Sequence, residues 1–353
     1  MKKILFCNKY DRLGASSRLR ALQFLPYLKS SYICQVNSLF SNKYVANIYS
    51  KTKQNKLSIF LSYIKRFLFL ITTDANVVVI EKELFPYLPY CIEKIFLWNK
   101  KYIIDIDDAV FHNYDLSYNP LVKFFLAKKF GKLFANSFAV FAGSPYLVEY
   151  AERYGARALY YPTVIDLTKY DAVTTPVNKV SDVITIGWIG TNGTAGYLDE
   201  VIECLDFVAS QPHCRIEFLI IGSDRKFNVN HLSIKYAVWS EEREIELIKG
   251  IDIGIMPLRD TLWEKGKCAY KLIQYMACQK PVVASAIGAN NIVVDDSCGF
   301  LCHNSEQWKT ALMYLVQNRD ILFRYGANGY KKVQNIYCVE KNLQKFKSII
   351  DEV

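Results

Sequence analysis

The sequence predicts an α/β protein of two Rossmann-like domains whose parallel sheets face a central cleft. Three observations carry this. A chain of 353 residues, about half of them apolar, exceeds the size at which one hydrophobic core usually stops growing. Short apolar runs alternate with helix-period segments along both halves of the chain, the pattern of a parallel sheet with right-handed crossovers. Between the halves, Tyr161 to Ser181 holds Pro162, Pro176 and the pair Thr174-Thr175 with little periodicity, which marks a linker. The expected division is 1–165 for a first Rossmann-like domain, 166–181 for the linker and 182–335 for a second Rossmann-like domain. A closing helix over 336–353 is expected to return to the first domain.

In chain order, KILFCN at Lys3–Asn8 is a short apolar strand, and Ser16–Leu28 then shows helical spacing through Leu19, Leu22, Leu25 and Leu28. Val77–Ile80 is a continuous β-branched run, as in a strand buried on both faces. Tyr102–Ile104 and Phe138–Phe141 are two more strands. Amphipathic helices are expected over 57–71, 86–99, 120–135 and 144–153. A second alternation places strands at Asp182–Ile189, Ile216–Ile221, Ile251–Met256 and Pro281–Ser285. Helices over 194–210, 241–249, 267–278 and 304–317 separate them, and helices over 319–334 and 339–351 close the chain.

Charge is unevenly placed. Residues 1–170 carry 24 Lys/Arg against 12 Asp/Glu, a net of +12, whereas residues 171–353 carry 20 against 22, a net of −2. The basic excess belongs to the first half and suggests an anionic partner there: a membrane surface, a phosphorylated lipid or nucleic acid. No segment reads as a signal peptide, since Ile4-Leu5-Phe6-Cys7 breaks at Asn8-Lys9. The most apolar stretch, 57–73, has Lys65 and Arg66 at its centre, which argues against a spanning helix. Ten scattered cysteines form no CxxC pair and no zinc-ligand spacing, so reduced core thiols in the cytoplasm are expected.

Four segments can carry chemistry. Asp11–Arg20 follows the first strand: Gly14 allows a tight turn, Ser16 or Ser17 can cap a helix, and Arg18 and Arg20 add positive charge. Trp188–Gly196 has its glycines spaced GxxGxxG, not the GxGxxG of a dinucleotide fingerprint. Residues 250–290 run from a buried strand through a polar loop to Gly266-Lys267 at the start of a helix. On that reading Lys267 and Lys271 lie one turn apart near a helix N-terminus, a sound diphosphate site. Finally, Asp105, Asp107 and Asp108 crowd the end of one strand and would repel one another without a cationic or polar partner. They can hold a metal, act as a base or accept bonds from sugar hydroxyls. Equally, they can simply cap the turn. His112 follows four residues beyond Asp108 without any Ser-His-Asp or HExxH arrangement.

At these residues the sequence resembles the family 4 glycosyltransferases, which have the GT-B fold. The resemblance covers most of the chain and is densest across residues 250–300, where GKCAYKLIQYMACQKPVVAS resembles the family's donor-binding helix and following strand. GASSRLRALQFLPYL near the start, EKELFP at Glu81–Pro86 and DIDDAVF at Asp105–Phe111 resemble a bacterial branch that acts in surface-polysaccharide assembly. The resemblance implies retaining transfer from a UDP- or GDP-linked sugar without an obligatory metal or cofactor, releasing UDP or GDP. It also implies a glycan or polyprenyl-diphosphate-linked acceptor. Carried over, Gly190, Thr191, Asn192, Gly193, Thr194 and Lys267 contact the diphosphate, with Cys268 and Lys271 nearby. Gln274 faces the ribose, and the loop at Tyr236–Trp239 covers the base. Asp107 and Asp108 take catalytic roles beside Lys267, while Gly14, Ser16, Ser17, Arg18, Asp105 and His112 face the acceptor or the sugar. Two departures stand out. The family's Glu-x7-Glu motif falls on Gly266 and Gln274, so both carboxylates are missing, with Asp260 or Glu264 as replacements. Thr191, Asn192 and Ala195 occupy the region where the family places an Arg and a Lys.

A basic helix can lie on anionic lipid. Segments 57–71 and 120–135 combine large apolar residues with Lys65, Arg66, Lys123, Lys128, Lys129 and Lys132. They fit peripheral attachment at the inner face of the cytoplasmic membrane, and they equally fit ordinary surface helices whose apolar faces are core. Competing functions are a nucleotide-sugar epimerase on the same architecture and a nucleic-acid-binding protein using the basic half. No nucleic-acid motif accompanies that charge, so no nucleic acid is expected. An NAD(P) oxidoreductase is disfavoured by the missing fingerprint.

Overall fold

A computed structural model describes residues 1–50, 52–171 and 182–353. The chain forms two compact units. The first comprises Met1–Thr163 with Lys265–Cys268 and Asn342–Val353; the second comprises Val164–Glu264 with Ala269–Lys341. The expected linker, 166–181, lies outside the described residues from 172 onward; its first part is the short helix Leu167–Asp171.

The first unit is built on six parallel strands: β1 (Lys3–Tyr10), β2 (Ile33–Phe40), β3 (Val77–Glu81), β4 (Lys101–Ile106), β5 (Ala139–Ala142) and β6 (Ala158–Tyr160). Their order across the sheet is β2-β1-β3-β4-β5-β6. β3 is buried at every position, as its β-branched run requires of a strand covered on both faces. The helices used below are α1 (Ala15–Arg20), α2 (Lys56–Thr72), α3 (Tyr90–Leu97), α4 (Pro120–Leu126) and α5 (Lys129–Ala135). Side-chain caps start two of them. Asn55 accepts the Leu57 and Ser58 N–H groups, and Asn119 accepts those of Leu121 and Val122 ahead of a proline at the first turn. Phe346, from the C-terminal helix Val339–Glu352, inserts among Phe6, Phe24 and Phe141 at centroid distances of 5.6–6.2 Å.

In the second unit β7 (Ile184–Ile189), β8 (Ile216–Ile221), β9 (Ser233–Ala237), β10 (Ile253–Met256), β11 (Val282–Ser285) and β12 (Gly299–Cys302) are again all parallel, ordered β12-β11-β10-β7-β8-β9. This is the dinucleotide-fold order, whereas the first sheet follows the flavodoxin-like one. In both, the strand order reverses beside the first strand: between β1 and β3 in one, between β7 and β10 in the other. Ligands of doubly wound sheets bind outside the carboxyl ends at that reversal. The second reversal is pinned by Tyr275, whose hydroxyl accepts the Ile189 N–H (3.0 Å) while its ring lies over Gly254, where a Cβ would come within 2.3 Å of it.

Several helices are shorter than the spacing suggests. The segment 120–135 is two helices broken at Ala127-Lys128. Pro86 and Pro89 delay the helix expected from 86 until Tyr90. The helix expected from 267 begins only at Tyr270, here α6 (Tyr270–Ala277), because Ala269 ahead of it takes a left-handed conformation at φ 55°. Lys267 therefore precedes the helix, and the expected face shared by Lys267 and Lys271 does not form.

Candidate functional site

In the first unit the carboxyl ends of β1, β3 and β4 bring together the loop after β1, the segment Glu81–Glu83 and the Asp105–Asp108 cluster. The three aspartates do not await an external cation. Asp105 is buried against Arg20 of α1, whose Nε lies 2.9 and 3.0 Å from its two oxygens. The same guanidinium also donates to Thr163 Oγ1 (3.1 Å) and the Tyr161 carbonyl (3.0 Å). Asp107 Oδ1 is 2.9 Å from Lys82 Nζ, which is 3.7 Å from Asp108 Oδ2 and donates to Ser16 Oγ (3.2 Å). Lys267 Nζ stands 3.6 Å from Asp108 Oδ1. Burial raises the Asp107 carboxyl, but Lys82 and Arg20 more than offset this and hold it at about 2. Lys82 is raised in turn: burial works against its charge, and Asp107 and Asp108 outweigh it.

Lys82 is the residue that sequence reasoning missed. Its backbone sits at φ 65° just beyond β3, which turns the side chain toward the β4 carboxylates. Buried partners enforce that turn. Glu81 Oε2 accepts the Ser17 hydroxyl (2.6 Å) and the Lys9 N–H (2.9 Å). Glu83 accepts Lys129 Nζ (2.6 Å) and the Tyr114 hydroxyl (2.9 Å). The segment EKELFP carried the signal through its charges, which alone do not say which of them points inward.

Not every expected residue is available to a ligand. Ser17 and Asp105 are buried and spent on Glu81 and Arg20. His112 uses both ring nitrogens, Nδ1 with Asp115 (2.8 Å) and Nε2 with the Tyr146 hydroxyl (2.7 Å). Arg20, expected to add positive charge to the loop, is consumed in the core. Arg18 is only partly covered, and its Nη1 donates to the Arg12 carbonyl (3.3 Å). Gly14 packs on Tyr10, where a Cβ would come within 2.4 Å of that side chain. Cys268 is buried with its thiol donating to the Asp107 carbonyl (2.8 Å), and burial pushes that thiol up. Asp108, Ser16 and Lys267 are the more open members of the cluster.

In the second unit Gly190–Thr194 follows β7 as a surface turn. Gly190 N–H donates to the Ile221 carbonyl (3.0 Å), and Gly222 at φ 84° lets the two backbones meet, since a Cβ there would lie 2.3 Å from the Gly190 carbonyl oxygen. Thr194 Oγ1 accepts the Thr191 N–H (3.1 Å), and Asn192 Oδ1 accepts the Ser223 hydroxyl (2.5 Å) and the Asp224 N–H (3.2 Å). Thr191, Asn192 and Gly193 are exposed. Lys271 Nζ stands 5.1 Å from the Trp188 ring centroid. Tyr236 lies in edge strand β9, with Trp239 just beyond it, so the expected loop is partly strand.

The family's missing carboxylates have local explanations. Gly266 is pressed on Ala109: a Cβ would lie 2.6 Å from the Ala109 Cβ and 2.7 Å from its backbone nitrogen. Gln274 is buried and donates to Glu244 Oε1 (2.7 Å), while Trp239 Nε1 donates to Glu244 Oε2 (2.6 Å). Glu244 thus supplies a carboxylate where position 274 has none, a second residue that the sequence did not single out. Glu264 is buried under the Tyr197 hydroxyl (2.6 Å) and Thr261, whereas Asp260 is exposed. Among the described residues no cluster of His, Cys, Asp and Glu has the makings of a metal site.

Comparisons with known proteins agree with this architecture. Residues 182–318 match the family model described as "Glycosyl transferases group 1". An uncharacterized glycosyltransferase of Methanocaldococcus jannaschii is 27% identical over 115 residues, 32% of this chain and 28% of that protein. The match therefore spans little more than a quarter of the relative's length. The Anabaena protein HepE, solved with UDP-glucose, superposes with a TM-score of 0.73 at 13% identity, covering 100% of both chains. A trehalose-6-phosphate synthase, solved in work on glycosyl transfer with retention, superposes with a TM-score of 0.67 at 12% identity over 100% of this chain and 99% of the other. The chain thus shares the two-domain GT-B fold of these solved structures, and its residues 182–318 match the group 1 glycosyl transferase model.

Proposed function

We propose that the protein transfers a sugar from a UDP- or GDP-linked donor to a glycan or lipid-linked glycan in bacterial surface-polysaccharide synthesis, with retention. The observation that carries this reading is the exposed Gly190–Thr194 turn at the strand-order reversal of the sheet, inside the segment matched by the family model. Its backbone and Lys267 are assigned to the diphosphate, with Lys271 as the lesser candidate. Trp239, Gln274 and its partner Glu244 are assigned to the nucleoside. Fixed cations and amides stabilise the charge that grows on the leaving diphosphate as the anomeric C–O bond breaks. The acceptor oxygen forms the new bond to that carbon, and its proton departs with the diphosphate. Asp108 and Ser16, the open members of the first-unit cluster, are assigned to the acceptor side. No metal or cofactor is assigned a role. None of the ten cysteines is joined in a disulfide, which supports a reducing, cytoplasmic location.

The test is nucleoside diphosphate release from a panel of UDP- and GDP-hexoses, with and without a bacterial lipid-linked glycan extract. Release that requires the extract supports transfer. Conversion of the donor sugar with no release favours an epimerase on the same fold.

A further inference from the structure

One face of the first unit is built the wrong way round for a water-soluble surface. Helix α2 turns its mixed stripe inward, with Tyr63, Arg66 and Leu70 covered, and points Leu57, Leu61, Ile64, Leu68 and Ile71 at solvent. Phe60 and Phe67 join them outside. Leu57 is 64% exposed and Arg66 1%. A surface helix ordinarily does the reverse. Arg66, expected to face lipid, is instead an internal clasp: its guanidinium donates to Asn37 Oδ1 (2.7 Å) and to the Asn8, Asn37 and Leu84 carbonyls. Lys129 is equally internal, bridged to Glu83 (2.6 Å) and Glu93 (2.7 Å).

Helices α2, α3, α4 and α5 share this side of the sheet, as right-handed crossovers running from β2 through β3 and β4 to β5 require. Phe67 of α2 meets Phe96 of α3 edge-on at 4.3 Å, and the Lys129–Glu93 pair joins α5 to α3. The outward apolar character continues across them through Ile95, Trp98, Leu121 and Phe125, with Phe124 81% exposed. Six exposed cations flank these groups: Lys56, Lys65, Lys94, Lys123, Lys128 and Lys132. The four helices carry one acidic residue, Glu93, and it is buried. Lys94, Lys128, Lys132 and Phe125 also line a groove of about 530 Å³ with Tyr90 and Cys91.

We infer that this four-helix face docks flat on an anionic bilayer, with its aliphatic and aromatic side chains among the acyl chains and its lysines on lipid phosphates. The charge of the face selects the partner. A basic surface with no exposed acid complements anionic headgroups, and leucines and isoleucines at helical spacing suit acyl chains. Trp98 has the character of an interfacial anchor, and the groove fits a headgroup phosphate. Among the described residues no helix is long and apolar enough to cross a membrane, so the attachment is to the surface.

Flotation of the full chain with phosphatidylcholine vesicles, with and without phosphatidylglycerol, tests this without any sugar nucleotide, so its failure would leave the proposed transfer untouched. Binding should require phosphatidylglycerol and weaken with salt. The Lys94→Gln/Lys123→Gln/Lys128→Gln/Lys132→Gln variant should lose about fivefold in partition per lysine. Lys331→Gln/Lys341→Gln, changed elsewhere, should keep its binding. Phe124→Ser/Phe125→Ser should lose binding with an unchanged melting curve, because both rings are exposed. Equal binding to neutral and anionic vesicles would overturn the inference. So would a dimer in sedimentation that Phe124→Ser/Phe125→Ser disperses, or binding to RNA that the vesicles do not match.

Discussion

Lys82 Nζ lies 2.9 Å from Asp107 Oδ1, and this pair ties the carboxyl end of β3 to that of β4, one strand along from the reversal between β1 and β3. Both groups are nearly covered, at 7% and 12% side-chain exposure. The pair explains why three aspartates can crowd one strand end: each has a cation of the same unit within 4 Å.

Removing the cation should be costly. Lys82→Met leaves Asp107 buried with its charge uncompensated, and a broken buried pair costs about 3–5 kcal/mol. Urea unfolding should show that loss, and Lys82→Met/Asp107→Asn should recover most of it. A Lys82→Met protein as stable as the parent would mean that the pair holds nothing together.

The same pair sets an acid limit. The Asp107 carboxyl is held at about 2 in the folded chain against an ordinary value of 3.8, so the folded state resists taking up its proton. Its contribution is complete above about pH 4 and disappears as pH falls toward 2, at most about 2 kcal/mol. Stability measured down that range should fall more steeply for the parent than for Asp107→Asn.

Position 274 should reject the carboxylate found there in the family that the sequence resembles. Gln274→Glu exchanges the Nε2 donor to Glu244 for a like charge in a buried site. Folding should weaken by about 1–3 kcal/mol at neutral pH. Two facing carboxylates share a proton readily, raising one of them, so the deficit should shrink as pH falls. Melting curves across the acid range check both statements.

Position 266 should reject any side chain. With a Cβ brought to 2.6 Å from Ala109, Gly266→Ala should lose about 1–3 kcal/mol through overpacking. The larger Gly266→Glu should lose more and bring no gain in activity. Urea unfolding of the two variants gives the order.

Much of the fold was legible in the sequence, and the part that was not has one location. The eight interior strands read as apolar runs because both faces are covered: β1, β3, β4 and β5 in one sheet, β7, β8, β10 and β11 in the other. The four strands with no clear signal, β2, β6, β9 and β12, are the four edges. There a strand such as SIKYA at Ser233–Ala237 mixes polar and apolar residues, because one side is open to solvent. The glycine turn, Lys267 and the aspartate cluster were visible from their place after strands. Which charges face inward was not. Arg20, Arg66, Lys82 and Lys129 are long cations whose partners lie tens of residues away, at Asp105, Asn37, Asp107 and Glu83. Nothing local to their own segments records that pairing.

Thermal unfolding against UDP, GDP, CMP, ADP, NAD and buffer tests the central claim most directly, since a ligand of the native state must raise its stability once its concentration exceeds the dissociation constant. Stabilisation by UDP or GDP, lost in Lys267→Ala, is the predicted result. No shift with any nucleoside diphosphate, or a shift with NAD alone, would contradict a sugar-nucleotide donor.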